Sequence, residues 1–217
     1  MSRSWKAYLP LLWILIIPVI NIFYAILNQA HIPVYSLMTD LDAHIPFVPI
    51  FIIPYLIWYP FIFIVLILLC VREQKVYYRT LVTQCIGLLA CYLIFFLFQT
   101  TVDRPQTMGS GIFERLVGLV YSTDNPYNCF PSIHVLTSYL MIKGAVGSDF
   151  VSKRERTAVK VCAWSIIVST LFVKQHVLLD VAGAIALVEI LWYGVGRLSR
   201  GQQSKFKGEI VRQENVY

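Results

Sequence analysis

Six apolar runs, near residues 8–29, 48–71, 79–99, 131–147, 158–174 and 177–196, constrain this chain more than any other feature. A helix rises about 1.5 Å per residue, so crossing the hydrocarbon core of a bilayer takes roughly 17–25 apolar residues. The first three runs and the last meet that length; the fourth and fifth lie at its lower limit. With 58% hydrophobic and only 14% charged residues, a water-soluble fold would lack the polar surface to cover its apolar material. The expectation is an all-α, polytopic membrane protein with six transmembrane helices over residues 1–200, followed by a polar, basic and loose cytoplasmic tail over 201–217. The first run follows Arg3 and Lys6 as a signal peptide would. It is long enough to span and lacks a clear small-x-small cleavage site, so it is read as a retained helix. Pro18, Pro54 and Pro60 fall inside spans, where they predict kinks.

Six crossings put both termini on one side, and the charges say which. Of the 18 Lys and Arg, only Arg104, Arg115 and Lys174 fall in odd-side loops. By the positive-inside bias both termini are cytoplasmic. The net charge of +6 therefore reads as a topology signal and a contact to anionic membrane lipid, with no case for nucleic acid. Cys70, Cys85, Cys91 and Cys162 lie in or at the ends of apolar runs, and Cys129 alone sits in an obvious loop. No disulfide framework or CxxC pair is present.

Chemistry-bearing residues collect on the side poor in Lys and Arg. Arg104-Pro105 follows the third span, Pro131-Ser132-Ile133-His134 opens the fourth, and Lys174-Gln175-His176 with Asp180 forms the turn between the fifth and sixth. All three segments meet the same interface. His176 and Asp180 are spaced i, i+4, so on one helix face the carboxylate accepts a proton from one ring nitrogen and leaves the other as a nucleophile. His134 is placed to protonate a leaving alkoxide. Arg104 and Lys174 can grip phosphate oxygens, and Pro131 puts Ser132 at a helix N-terminus, itself an anion site. Each alone has a plainer role: interfacial anchor for Arg104, snorkelling end residue for Lys174, helix-start charge for Asp180, interhelical partner for either histidine. The combination on one face lifts the functional reading above its parts. Asp40 and Asp42 read as a solvated loop at the rim, Asp103 as a partner for Arg104, and Glu189, the one acid well inside a span, as either functional or interhelical.

The order Arg-Pro, Pro-Ser-x-His, His-x3-Asp resembles the type-2 phosphatidic acid phosphatase superfamily of membrane lipid phosphatases and phosphotransferases. The resemblance runs from the first span to the sixth. This chain departs from its motifs at Leu97, where the family has lysine, at Ile133 for glycine, and at Thr170 for arginine. Lys174 is inferred to replace one missing cation, and the Phe-Val-Lys-Gln-His-x3-Asp form looks like the branch of inositol phosphorylceramide synthase-like transferases. The resemblance carries over His176, Asp180, His134, Ser132 and Arg104. It implies metal-independent hydrolysis of a lipid phosphate or lipid pyrophosphate through a phosphohistidine at the outer face, with no cofactor. The alternatives are a phosphotransferase with a hydroxyl acceptor and a non-catalytic phospholipid carrier. Compact helices and short loops suggest a bacterial plasma membrane.

Overall fold

The computed structural model describes residues 5–30, 32–105 and 109–214. Helices occupy all six apolar runs. A 3-10 segment at Trp5–Leu15 continues into α1 (Ile16–Leu27). After α2 (Asp40–His44) and a 3-10 turn at Pro49–Phe51 come α3 (Ile52–Arg72) and α4 (Gln74–Leu97). Then follow α5 (Ile112–Thr123), α6 (Ile133–Gly147), α7 (Lys153–Phe172) and α8 (Leu178–Glu214). Among the described residues, four stretches are long and apolar enough to cross a membrane: Leu9–Leu27, Pro49–Arg72, Gln74–Leu97 and Leu178–Leu198. α6 is apolar but shorter, and α7 opens on Lys153, Arg154, Glu155 and Arg156.

These helices are apolar on both faces. Leu66, Leu69, Leu140, Met141 and Ile166 form the buried seam, while Leu12, Val19, Ile26, Ile64, Leu93 and Ile190 point outward. Water would not tolerate that outer surface, whereas hydrocarbon makes it the low-energy one, and the chain is a membrane-embedded protein. In such a setting packing and a few hydrogen bonds hold helices together, each bond worth about 0.6–2 kcal/mol. Trp58 Nε1 donates to Thr137 Oγ1 at 2.7 Å, joining α3 to α6, and Tyr92 donates to Asn21 Oδ1 at 2.8 Å, joining α4 to α1. Gly144 brings α6 against α3 and α4: a Cβ there would lie 2.7 Å from Leu69 and 2.8 Å from Thr80. Glu189 of α8 accepts from Tyr139 at 2.6 Å and pairs with Lys143 at 2.9 Å, both on α6, so it serves the interhelical role.

Among the described residues, only Pro60 lies deep within an α-helix. Pro18 and Pro54 occupy the first turns of α1 and α3, next to the junctions with the 3-10 segments. α7 begins five residues before the run that marks it in the sequence, because Ser152 and Glu155 close a capping box. α8 continues through Glu214, across the stretch read as a loose tail, whose Gln, Lys and Glu are good helix formers.

Two features lie outside the all-helical expectation. A short parallel ladder pairs β1 (Val34–Ser36) with β2 (Gln99–Thr101), Tyr35 opposite Thr100. The segment 100–130, which lies between the third and fourth apolar runs, contains α5. Its Val117 is fully buried against Ile52, Tyr55 and Val173, and Tyr121 donates to the Val173 carbonyl at 2.6 Å. The ladder and α5 cover the end of the bundle where α4 and α7 finish and α6 and α8 begin.

Candidate active site

At that end, Thr100 Oγ1 accepts from the Cys129 and Phe130 N–H groups at 3.1 and 2.8 Å. Asn128 turns the chain in the left-handed region (φ 61°), which asparagine tolerates. A Cβ at Gly183 would run into the Phe130 ring, so the glycine lets this loop sit on α8. The loop delivers Ser132 as the N-cap of α6. The Ser132 hydroxyl accepts from the Val135 N–H at 3.3 Å, and its own N–H donates to the Asp180 carbonyl. Ser132 is fully buried and does not line the neighbouring cavity. It shapes the site by capping the helix that carries His134.

A cavity of about 710 Å³ opens between α1, α3, α5, α6 and the α7–α8 turn, and Arg104, His134, Gln175 and His176 line it. The two imidazoles face each other with centroids 5.8 Å apart. His134 is held between Tyr55 and Trp58, at 4.6 and 4.0 Å between ring centres. His176 Nδ1 lies 3.2 Å from Asp180 Oδ2, which also accepts from the Val177 N–H at 3.0 Å. Asp180 is wholly buried, and its Oδ1 has no partner. A carboxylate in that position favours the tautomer with the proton on Nδ1 and leaves Nε2 with its lone pair free.

Arg104 is fixed from three directions. One terminal nitrogen donates to the Asp124 and Tyr121 carbonyls at 2.8 and 3.4 Å, at the C-terminal end of α5, where the helix dipole favours a cation. The other donates to Gln175 Oε1 at 2.6 Å, and the guanidinium lies 4.4 Å over the Tyr121 ring. Arg104 and Asp103 form no ion pair among the described residues. The buried Nε–H has no acceptor. A guanidinium N–H of this kind is a donor of the type a phosphate oxygen takes.

Lys174 does not join this cavity. It ends α7 in the left-handed conformation (φ 53°) and donates to the Asp42 and Ile45 carbonyls at 3.2 and 2.5 Å. It lines a second space of about 260 Å³, which Arg104 and His176 also line from the other side. Asp42, read from the sequence as a solvated rim, is buried. It accepts from the Thr39 hydroxyl and N–H at 2.6 and 2.9 Å and from the Leu178 N–H at 2.7 Å, so it caps the start of α8. Burial raises the Asp42 carboxyl, but these bonds and the Lys174 charge outweigh it and hold the group below the usual carboxylate value.

Three residues of the site carried no clear sequence signal. Gln175 was visible only as a neighbour of His176. Asp124 accepts from Tyr24 and Asn28 at 2.6 and 2.7 Å and fastens α1 to the end of α5. Cys129, marked out only as a loop cysteine, offers its Sγ within 4.8 Å of ligand atoms of His176 and Asp180, a grouping hidden by sequence distance.

No family model matches the chain, no curated protein matches it, and no solved structure matches it.

Proposed function

We propose that this chain is a metal-independent lipid phosphatase that hydrolyses a lipid phosphate or pyrophosphate through a phosphohistidine on His176. The reading rests on one arrangement: two imidazoles 5.8 Å apart across a cavity, one oriented by a buried carboxylate, beside an arginine that lines the same cavity and whose Nε–H lacks an acceptor. In the proposed reaction Arg104 holds the phosphoryl oxygens and His176 Nε2 attacks phosphorus in line. Asp180 stabilises the imidazolium that forms, and His134 protonates the departing lipid oxygen. A water deprotonated by His134 then cleaves the phosphohistidine, releasing phosphate and restoring both rings. Lys174 adds positive charge from the second space, although its hydrogen bonds tie it to carbonyls.

A lipid substrate is supported by the shape of the cavity. Asn21, Trp58, Tyr59 and Ile133 line both the main cavity and an apolar space of about 200 Å³ that reaches Ile17, Phe63 and Leu88. A phosphate seated at Arg104 would thus have an apolar route for its chain. We further propose six crossings with both termini in the cytoplasm and the site on the opposite side, supported by the charge distribution among the loops.

The test is phosphate release from a panel of lipid phosphates and pyrophosphates by the detergent-solubilised protein in chelator, wild type against His176→Ala. Release that requires His176 is the expected result. Activity that chelator abolishes and a divalent ion restores would refute the scheme. A new phosphodiester in place of free phosphate would transfer the same residues to a hydroxyl acceptor.

A further inference from the structure

The chemistry above leaves Cys129 without a task. The thiol is 3% exposed, and its sulfur is 3.8 Å from the Pro126 carbonyl. The Cys129 and Phe130 N–H groups both donate to Thr100 Oγ1 and fix the backbone, and the sulfur lies within 4.8 Å of ligand atoms of the His176–Asp180 pair.

We propose that Cys129, His176 and Asp180 form an inhibitory site for a borderline-soft divalent cation, zinc above all, at the wall of the catalytic cavity. Sulfur, imidazole nitrogen and carboxylate oxygen all lie within 4.8 Å of one another. Tetrahedral zinc, with bonds of about 2.0–2.3 Å, needs donors roughly 3.5 Å apart, so small side-chain rotations close the site. A second observation points to a missing ligand: Asp180 Oδ1 is fully buried and unpartnered, a costly state that a cation would relieve. The fourth position would face the cavity, which Cys129 and His176 both line, and take water or a phosphate oxygen. Magnesium and calcium ask for six or more oxygen ligands and do not suit this set.

Burial and the Asp180 carboxylate push the Cys129 thiol above its ordinary range, so the free site carries S–H. Binding replaces the S–H bond by S–Zn and releases one proton to solvent. The metal takes the Nδ1 lone pair of His176, and the ring proton moves to Nε2. That nitrogen then has no lone pair for phosphorus, so metal binding and hydrolysis exclude each other. The inhibitory consequence rests on the hydrolase reading; the binding does not.

The experiment titrates the chelator-stripped, detergent-solubilised full chain with cobalt(II), whose bond to a thiolate gives a near-ultraviolet charge-transfer band. One equivalent should produce the band, zinc should displace it, and Cys129→Ser should lack it. Zinc should inhibit phosphate release, and Cys129→Ser should raise the half-inhibitory concentration at least about tenfold, each protein normalised to its own metal-free rate. In wild type alone, zinc should also slow maleimide labelling of Cys129, which needs no variant. No band in wild type, or a band that survives Cys129→Ser, overturns the site. A Cys129-dependent band with undiminished hydrolysis in saturating zinc overturns the inhibitory role. The same band in a protein that hydrolyses no substrate upholds the metal site and removes the hydrolase reading.

Discussion

Gln175 controls how much of the Arg104 charge reaches a bound phosphate, and two substitutions separate its effects. The side chain is 3% exposed and its Oε1 receives a 2.6 Å bond from the guanidinium. Gln175→Leu keeps the volume and removes the acceptor. A hydrogen bond to a charged group contributes about 1.5–3 kcal/mol, and roughly 1.4 kcal/mol is tenfold in rate, so kcat/KM should fall about 10- to 100-fold. The bonds to the Asp124 and Tyr121 carbonyls remain, so Arg104 stays in the site and the loss should fall mainly on KM. Gln175→Glu restores an acceptor but adds a charge that neutralises the guanidinium and repels phosphate. It should lose at least another factor of about ten and weaken inhibition by inorganic phosphate in parallel. The assay is steady-state phosphate release over a substrate series, with thermal unfolding in detergent as the folding control. A Gln175→Glu enzyme with wild-type kcat/KM would refute the idea that Arg104 binds the phosphate by charge.

Further outcomes follow from the same geometry. Asp180→Asn should cut kcat by about 10²–10⁴-fold while the chain still unfolds cooperatively, because the amide no longer selects the nucleophilic tautomer; a kcat within threefold of wild type would exclude that role. Asp42 is held below its unfolded value, so its contribution to stability is complete above about pH 4 and is lost as pH falls through the lower folded value. Asp42→Asn should therefore lower the unfolding midpoint at pH 7 and flatten its dependence below pH 4, and an unchanged acid limb would contradict the cap. Gly144→Val should cost about 1–3 kcal/mol by pressing on Leu69 and Thr80, read as a lower midpoint in detergent, and an unchanged midpoint would contradict that packing.

The helices were legible because apolar runs of spanning length leave the backbone one economical way to satisfy its hydrogen bonds. Their ends were less so. Lys153, Arg154 and Arg156 look like loop by charge, yet Ser152 and Glu155 make them the first turn of α7. The same polarity rule hid α5, whose single fully buried residue, Val117, gives a weak signal in a segment otherwise half exposed. The β1–β2 ladder was invisible because three-residue strands distant in sequence carry no periodicity. At the site, the i, i+4 spacing put His176 on Asp180, and membrane sidedness brought His134 and Arg104 to the same end. What spacing could not supply was direction: Ser132 turns inward to cap α6, and Lys174 turns to the far side of Arg104. Gln175, Cys129 and Asp42 enter through contacts between distant segments, which only the fold reveals.

The most direct test of the central claim is to quench turnover of a radiolabelled lipid phosphate and map the phosphoryl group on the protein. The account predicts an acid-labile, base-stable label on His176 that is absent from His176→Ala and that disappears when unlabelled substrate is chased in before the quench. Phosphate release by wild type with no such label, or undiminished release by His176→Ala, would contradict it.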